Sequence, residues 1–349
     1  MDDTIAIRAG EALDTTRLEP YLRERLPRAT GALRVRQFGA GHANLTYALH
    51  FGDEEYVLRR PPYGPLPKGG HDMRREYRVL SQLYRAFPLA PRAFVLCTDP
   101  AVLGADFVVM ERRCGSVIRA TLPPQIACDP GACRRLGENF IDTLAALHTV
   151  DYVATGLGAL GKPDGYLERQ LDGWTARWAA AGTPEQPDAA AFLRKLVERR
   201  PLPGAPALVH NDFKFDNMLV DAVEPTRFVA VLDWDMCTVG DPLADLGNVL
   251  ALWTEPADPP TLRVSAMPTA VAGFPTRAEL VERYATATGR DCTQATWYRA
   301  FNIFRYAAIA QQIYARFVRG QTHDERFRSF GASVAALIES GTALADRGL

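Results

Sequence analysis

Residues 208–220 read LVHNDFKFDNMLV, two apolar residues running straight into His210, Asn211, Asp212, Lys214, Asp216 and Asn217 before an apolar run resumes. A loop between two strand-like runs that gathers so many polar and ionisable groups must satisfy them, because an unpaired charge is expensive to bury. A metal, a ligand or a dense hydrogen-bond network would do so. The residue types narrow the choice. A carboxylate such as Asp212 can orient and deprotonate an attacking hydroxyl. Lys214 can neutralise negative charge on a moving group, and the amide oxygen of Asn217 suits a hard cation. His210 reads as a structural residue that holds the loop by hydrogen bonds.

A companion stretch follows at 228–253, FVAVLDWDMCTVGDPLADLGNVLALW. An apolar strand ending in Asp233 sets a carboxylate at the strand end, where it can point into a cleft and offer oxygens to a hard cation. Asp235 either supports that ligand or touches substrate. Asp241 reads as a helix cap with Pro242 at the first helical position, and both Asp241 and Asp245 read as structural.

Working toward the N-terminus, 33–60 (LRVRQFGAGHANLTYALHFGDEEYVLRR) alternates with period two and turns at GAGHAN and GDE. That pattern predicts a three-stranded antiparallel meander. A short helix is expected over 14–26, capped by Asp14 or Thr15, and a second from His71 to about Ala86. Two more strands are expected at 92–98 and 106–111, with DPAVLG turning between them. Beyond Cys114–Gly115 helical periodicity dominates, interrupted by short hairpin-like strands around the two motifs. The expected architecture is α+β: an N-terminal antiparallel sheet lobe over 1–113 and a larger helical lobe over 114–349. A hinge is expected near 110–115, and the groove between the lobes is the default site.

Composition excludes several classes of function. The chain has 349 residues, 47% hydrophobic and 23% charged, with a net charge of −1. These values are ordinary for a globular protein and carry no nucleic-acid footprint. The six cysteines form no CxxC pair and no zinc spacing with histidine, so reduced thiols are expected. No window offers roughly 18 uninterrupted apolar residues, and the N-terminal segment carries acids rather than a signal-peptide core. The expectation is a soluble cytoplasmic protein with no membrane partner and an oligomeric state left open.

The spacing His210-x-Asp212-x-Lys214-x-x-Asn217 matches the kinase catalytic-loop pattern H-x-D-x-K-x-x-N. Together with LDWDMCTVGDPLADL, it makes the chain resemble the aminoglycoside phosphotransferase and choline kinase superfamily, over roughly residues 30–340. GAGHANLTY, YVLRRPP and REYRVL most resemble the kinase-like domain fused to acyl-CoA dehydrogenases in animals, and its free-standing bacterial relatives. The resemblance implies a protein-kinase-like two-lobe fold, ATP and Mg2+ as cofactors, and phosphoryl transfer to the hydroxyl of a small molecule. It implies Asp212 and Lys214 as catalytic and Asn217 and Asp233 as metal-binding. It places Gly39, Gly41 and Asn44 over the ATP phosphates and puts Arg59 where a kinase has its phosphate-binding lysine. Arginine keeps that role, since it is permanently charged and binds phosphate bidentately. Glu76 becomes the ion-pair partner of Arg59. FVVMERRCG resembles the hinge, with Met110 as gatekeeper and the backbone of Glu111 and Arg113 on adenine. No Walker A pattern occurs, and Gly39-Ala40-Gly41 fails the dinucleotide fingerprint because no βαβ unit follows.

For the acceptor, Arg305, Ile309, Gln312, Arg316 and Arg319 fall near one face of the helical pattern at 295–319, with Arg326 and Arg328 close behind. Read as a site, that face suits an anionic acceptor such as a hydroxyacyl-CoA; read blandly, it is solvated surface. Trp297, Phe301, Phe304 and Tyr314 read as core. The alternatives are an aminoglycoside, choline or sugar kinase and, in another class, a nucleotide-binding pseudokinase. No APE segment is present, which argues against a protein kinase.

Overall fold

The computed structural model describes residues 4–39, 44–64, 72–259 and 267–349. The chain divides into two compact units. One holds the residues up to Ser116 together with Asp151–Leu160 and Val229–Cys237, and the other holds Val117–Val150, Gly161–Phe228 and Thr238–Leu349. The two later segments of the first unit were not foreseen. They matter because Asp233 and Asp235 travel with the sheet and not with the helices.

The first unit is built on strands β1 (Thr4–Ile5), β2 (Leu33–Phe38), β3 (Leu45–Phe51), β4 (Glu54–Arg60), β5 (Ala93–Cys97) and β6 (Phe107–Glu111). They form one antiparallel sheet in the order β1-β2-β3-β4-β6-β5. The meander at 33–60 is therefore present, and β1 adds an edge strand too short to be read from two residues. Helix α1 (Thr15–Arg23) begins at Asp14, whose carboxylate accepts from the Thr16 N–H. Its Leu18 and Leu22 are fully buried in one cluster with Tyr47, Leu49 and Phe51 of β3 and Phe107 of β6. Each such leucine contributes roughly 1.5–3 kcal/mol by leaving water. Helix α2 (Met73–Leu83), capped by Asp72, carries Glu76. DPAVLG is a single helical turn, α3 (Pro100–Leu103), and not the expected plain turn. Asp99 caps it, Pro100 opens it, and Gly104 closes it with φ 76°, a conformation that favours glycine.

After β7 (Ser116–Val117), the second unit contains helices α4 (Pro124–Ala127), α5 (Pro130–His148), α6 (Tyr166–Ala180), α7 (Ala190–Glu198), α8 (Leu243–Leu252), α9 (Arg277–Thr288), α10 (Ala295–Val318) and α11 (Phe330–Asp346). Strands β8 (Ala207–Val209) and β9 (Met218–Val220) bracket the loop at 210–217, and β10 (Phe228–Val231) and β11 (Thr238–Gly240) bracket the Asp233 motif. The hydrogen-bonded partner of β8 is β11, with Leu208 opposite Val239; β8 and β9 form no hairpin with each other. Trp297, Phe301 and Phe304 of α10 are core, packed with Trp178 of α6, Phe192 of α7 and Ile338 of α11. Helices α8 and α10 approach so closely at Gly247 that a Cβ there would lie 2.5 Å from the Tyr298 backbone. Only glycine fits.

No helix among the described residues is long and apolar enough to cross a membrane. Cys97, Cys133, Cys237 and Cys292 are buried, Cys114 and Cys128 are exposed, and all six are free thiols.

Candidate functional site

The predicted residues fall into two clusters, one in each unit. In the helical unit, the loop after β8 is pinned by alternation. Phe213 and Phe215 are buried, with ring centroids 4.9 and 4.7 Å from that of Phe140 on α5. The residues between and beside them, Asp212 and Lys214, stay partly open to solvent. Two aromatic anchors thus hold two ionisable groups outward.

Asp212 accepts from Lys214 Nζ at 2.9 Å. It also accepts from Asn217 Nδ2 at 2.7 Å, and the same nitrogen reaches the Asp212 backbone carbonyl at 2.9 Å. The Asp212 N–H donates to His210 Nδ1 at 3.3 Å, and His210 is fully buried. Asp212, Lys214, Asn217 and His210 are therefore one hydrogen-bonded group.

Asp245, on the first turn of α8, underpins this loop. Fully buried, it accepts from the backbone N–H of His210 at 2.6 Å and of Asn211 at 2.7 Å, and it lies 3.3 Å from His148 Nε2. His148 Nδ1 is 2.6 Å from the Tyr284 hydroxyl. A neutral imidazole that accepts at Nδ1 and donates at Nε2 satisfies both contacts. Burial holds His148 below its ordinary value, which agrees with that state. For Asp245 burial acts to raise the pKa, but the hydrogen bond from His148 and the loop contacts outweigh it and keep the carboxylate below its usual range. Both folded-state values lie below the unfolded ones, so the unfolded chain binds these protons first. The stability from His148 is present above pH 6.5, its ordinary value, and is lost as pH falls below it, whereas that from Asp245 persists until pH falls below 3.8. Urea midpoints measured down through that range should fall, and should fall less steeply in His148→Gln.

Asn211 adopts φ 67°, the left-handed region uncommon for a non-glycine residue. Its side-chain oxygen accepts from the Tyr166 hydroxyl of α6 at 2.7 Å, and its carbonyl accepts from Arg305 Nη2 of α10 at 2.7 Å. Asn248 Nδ2 of α8 donates to the Phe213 carbonyl at 3.0 Å. Sequence reasoning missed Asn211, Tyr166 and Asn248 as loop supports and assigned Asp245 only a generic structural part. Asp241 was expected to cap α8 with Pro242 at the first helical position; instead Pro242 is the cap residue and α8 starts at Leu243. Asp241 accepts from the Leu243 N–H at 3.0 Å and from Tyr298 Oη at 2.6 Å.

In the sheet unit, β4 points Arg59 to one face and buries Arg60, which donates to the Leu103 carbonyl at 3.1 Å. Arg59 pairs with Glu76 of α2, as expected, and also with Asp233 Oδ1 at 2.8 Å. The second contact was not foreseen. Glu76 is fully buried, and burial pushes it up to about 7, with Asp233 and Asp235 adding to the rise and Arg59 opposing it. Asp233 shares the left-handed backbone, φ 67°. Between Asp233 and Asp235, Trp234 is buried and donates Nε1–H to the Val231 carbonyl at 2.8 Å. Asn44 Nδ2 reaches Asp235 Oδ2 at 3.3 Å. The Gly39 carbonyl accepts from Arg8 Nη2 at 2.7 Å, and Gly41 lies outside the described residues. Met110 is buried in β6 opposite Val57. Glu111 donates its N–H to the Arg92 carbonyl at 2.8 Å, and its carboxylate pairs with Arg113 Nε at 3.0 Å.

The arginine face of α10 does not survive as a unit. Arg305 is buried and donates to the Asn211 carbonyl, and Arg319 Nη2 donates to the Gly182 carbonyl at 3.0 Å. Arg326 pairs with Asp324 and Arg328 with Glu325. Arg316 is left exposed. Helical spacing could not say what covers each of these residues.

The chain's likeness to known proteins agrees with this geometry. Residues 34–298 match the phosphotransferase enzyme family. Acyl-CoA dehydrogenase family member 11 of Gallus gallus is 33% identical over 358 residues, covering 99% of this chain and 45% of that protein. The chain spans about half the length of the curated relatives it matches. A Ralstonia eutropha protein provisionally described as an aminoglycoside phosphotransferase superposes with a TM-score of 0.82 at 31% identity, over 96% of this chain and 99% of that one. A structure of the aminoglycoside phosphotransferase APH(4)-Ia with ADP and hygromycin B matches with a TM-score of 0.57 at 18% identity, over 93% and 98%, a likeness of fold alone. The fold is the α+β, protein-kinase-like one, and the chain belongs to the phosphotransferase enzyme family.

Proposed function

We propose that this chain transfers the γ-phosphoryl group of ATP to the hydroxyl of a small molecule, with Asp212 as the base. The observation that carries this reading is the Asp212 group: a partly exposed carboxylate oriented by Asn217 and Lys214 on a loop whose backbone is tied to Asp245. Both Asp212 oxygens already accept hydrogen bonds, but a carboxylate has about four lone-pair sites, so capacity remains for a substrate hydroxyl. That hydroxyl gives its proton to Asp212 while its oxygen bonds to the γ-phosphorus. The bond from that phosphorus to the β,γ-bridging oxygen breaks, and ADP leaves with the electron pair. Lys214 offsets charge on the transferring group.

Asn217 and Asp233 would hold magnesium. The donor set fits: an amide oxygen and a carboxylate are hard ligands, and Asn217 Nδ2 is already committed to Asp212, so its oxygen is the atom to offer a cation. When bound, the ion neutralises phosphate charge. Arg59, held by Glu76, would bind phosphate. Arg59→Ala should weaken ATP binding roughly 10- to 100-fold, the ~1.5–3 kcal/mol of a charge-assisted hydrogen bond; calorimetry showing unchanged affinity would count against this role.

The acceptor is proposed to be a hydroxyacyl-CoA thioester. The names of the curated relatives support this class, and the arginine face no longer does. Aminoglycosides are the second reading, favoured by the Ralstonia structure's description. The test is ADP release from magnesium-ATP across 4-hydroxypentanoyl-CoA, its free acid, kanamycin, choline and a hexose, with Asp212→Ala as the blank. Release with the thioester alone is expected. Release with kanamycin would overturn the acceptor and leave the mechanism standing, and silence throughout with ATP still bound would favour a pseudokinase.

A further inference from the structure

Arg305 sits in the middle of α10 and, among the described residues, is one of the few charged ones more than nine-tenths buried. Burying a guanidinium is costly unless an anion or a full set of acceptors compensates it. No ion pair to Arg305 is found among the described residues. Its partners are neutral oxygens: the Asn211 carbonyl at 2.7 Å from Nη2, and the Asn302 and Asn248 side-chain oxygens at 3.3 and 3.5 Å from Nη1. The guanidinium carbon lies 5.5 Å from the Trp174 ring centroid on α6, and Nε has no acceptor. A residue selected only for stability would do as well as an apolar side chain of similar volume at such a position. The short contact to Asn211 is the one that arginine makes and an apolar side chain cannot.

Asn211 is the residue whose left-handed backbone turns the chain from β8 into Asp212. A non-glycine residue in that region costs on the order of 1–3 kcal/mol and persists only where its surroundings over-determine it. Here three helices do so: α8 through Asp245 on the N–H, α6 through Tyr166 on the side chain, and α10 through Arg305 on the carbonyl. The carbonyl belongs to the peptide that joins Asn211 to Asp212. Its orientation therefore sets the direction in which the Asp212 side chain leaves the backbone.

We infer that Arg305 is a positioning residue for the phosphoryl-transfer step, acting through the Asn211–Asp212 peptide to hold the Asp212 carboxylate in its reactive direction. This rests on the reading of Asp212 as the base. Because a displacement near 1 Å can cost about 100-fold in rate, Arg305→Met should lower kcat by roughly that factor while KM for ATP stays unchanged, the Arg59 cluster being untouched. Arg305→Lys keeps one donor long enough to reach the carbonyl and should recover at least about ten-fold of the loss, the energy of one charge-assisted hydrogen bond. Arg305→Ala opens a cavity, and added guanidinium ion at concentrations too low to denature should restore part of its kcat.

A merely structural role predicts a lowered urea midpoint with kcat retained in the folded fraction, no advantage of Lys over Met per folded molecule, and no rescue; any of these overturns the inference. If Arg305→Met does not fold, the Lys variant and the rescue of Arg305→Ala decide it alone. Asp212→Ala separates the two readings. Full turnover by Asp212→Ala overturns the base assignment and this inference with it. An inactive Asp212→Ala beside an Arg305→Met with unaltered kcat overturns this inference alone.

Discussion

Asp212→Ala is expected to lower kcat by roughly 10²–10⁴-fold, the range for loss of a positioned general base, with ATP affinity nearly unchanged. The effect on rate is large because no other partly exposed group of the cluster is a base, His210 being fully buried with its Nδ1 already accepting from the Asp212 N–H. Lys214 carries no acceptor, and Asn217 offers an amide, which is no base at all. The effect on stability should be small. Asp212 and Lys214 are each about a quarter exposed, and an ion pair open to solvent contributes about 0.2–1 kcal/mol. The separation of the two is the check: single-turnover phosphoryl transfer, ATP titration by calorimetry and a urea curve on the same preparation. Turnover that survives intact would remove Asp212 from its role, and a collapse of ATP binding would make it a nucleotide ligand instead.

The second large effect is on folding. Asp245→Ala removes the acceptor of two backbone N–H groups: that of His210, which is fully buried, and that of Asn211, which is partly so. An orphaned buried donor costs about 1–3 kcal/mol, so the loss is roughly 1–3 kcal/mol from His210 with a smaller part added by Asn211. That is a large share of the ~5–15 kcal/mol that holds a typical domain together. Asp245→Asn should be only partly rescued: one oxygen remains, but the new amide N–H₂ must face a backbone donor. Urea midpoints should therefore rank wild type, Asn, Ala. A midpoint for Asp245→Ala within about 1 kcal/mol of wild type would mean that the loop finds other acceptors. Asp245 acts on catalysis only through the loop, so any Asp245→Asn protein that remains folded should bind ATP normally and lose kcat.

Much of the candidate site was legible because its pieces are local. The pattern His210-x-Asp212-x-Lys214-x-x-Asn217 closes on itself in the structure, with Asn217 and Lys214 both bonded to Asp212. Period two over 33–60 yielded the meander because successive side chains of a strand must alternate between faces. The Arg59–Glu76 pair, 17 residues apart, was implied by the kinase resemblance and is present. The same locality misled where a short pattern had two solutions. The apolar runs on either side of the loop look like a hairpin, yet β8 bonds to β11, which begins 21 residues after Asn217, because hydrogen-bonded partners in a sheet are chosen by topology and not by adjacency.

The amino-acid sequence by itself named the side chains proposed to carry the chemistry: Asp212, Lys214, Asn217, Asp233 and Arg59 of β4. Residue type and short spacing are enough for that, since the chemistry resides in the functional group. The tertiary structure alone decided what holds them. Asp245 reaches the loop across 35 residues, Arg305 across 94, and Asp233 reaches Arg59 across 174. At such separations a helical period identifies the face on which a residue lies, but the partner is whatever the packed fold brings there. An arginine that spacing would set on a solvated face is thereby closed, buried, onto the peptide beside Asp212.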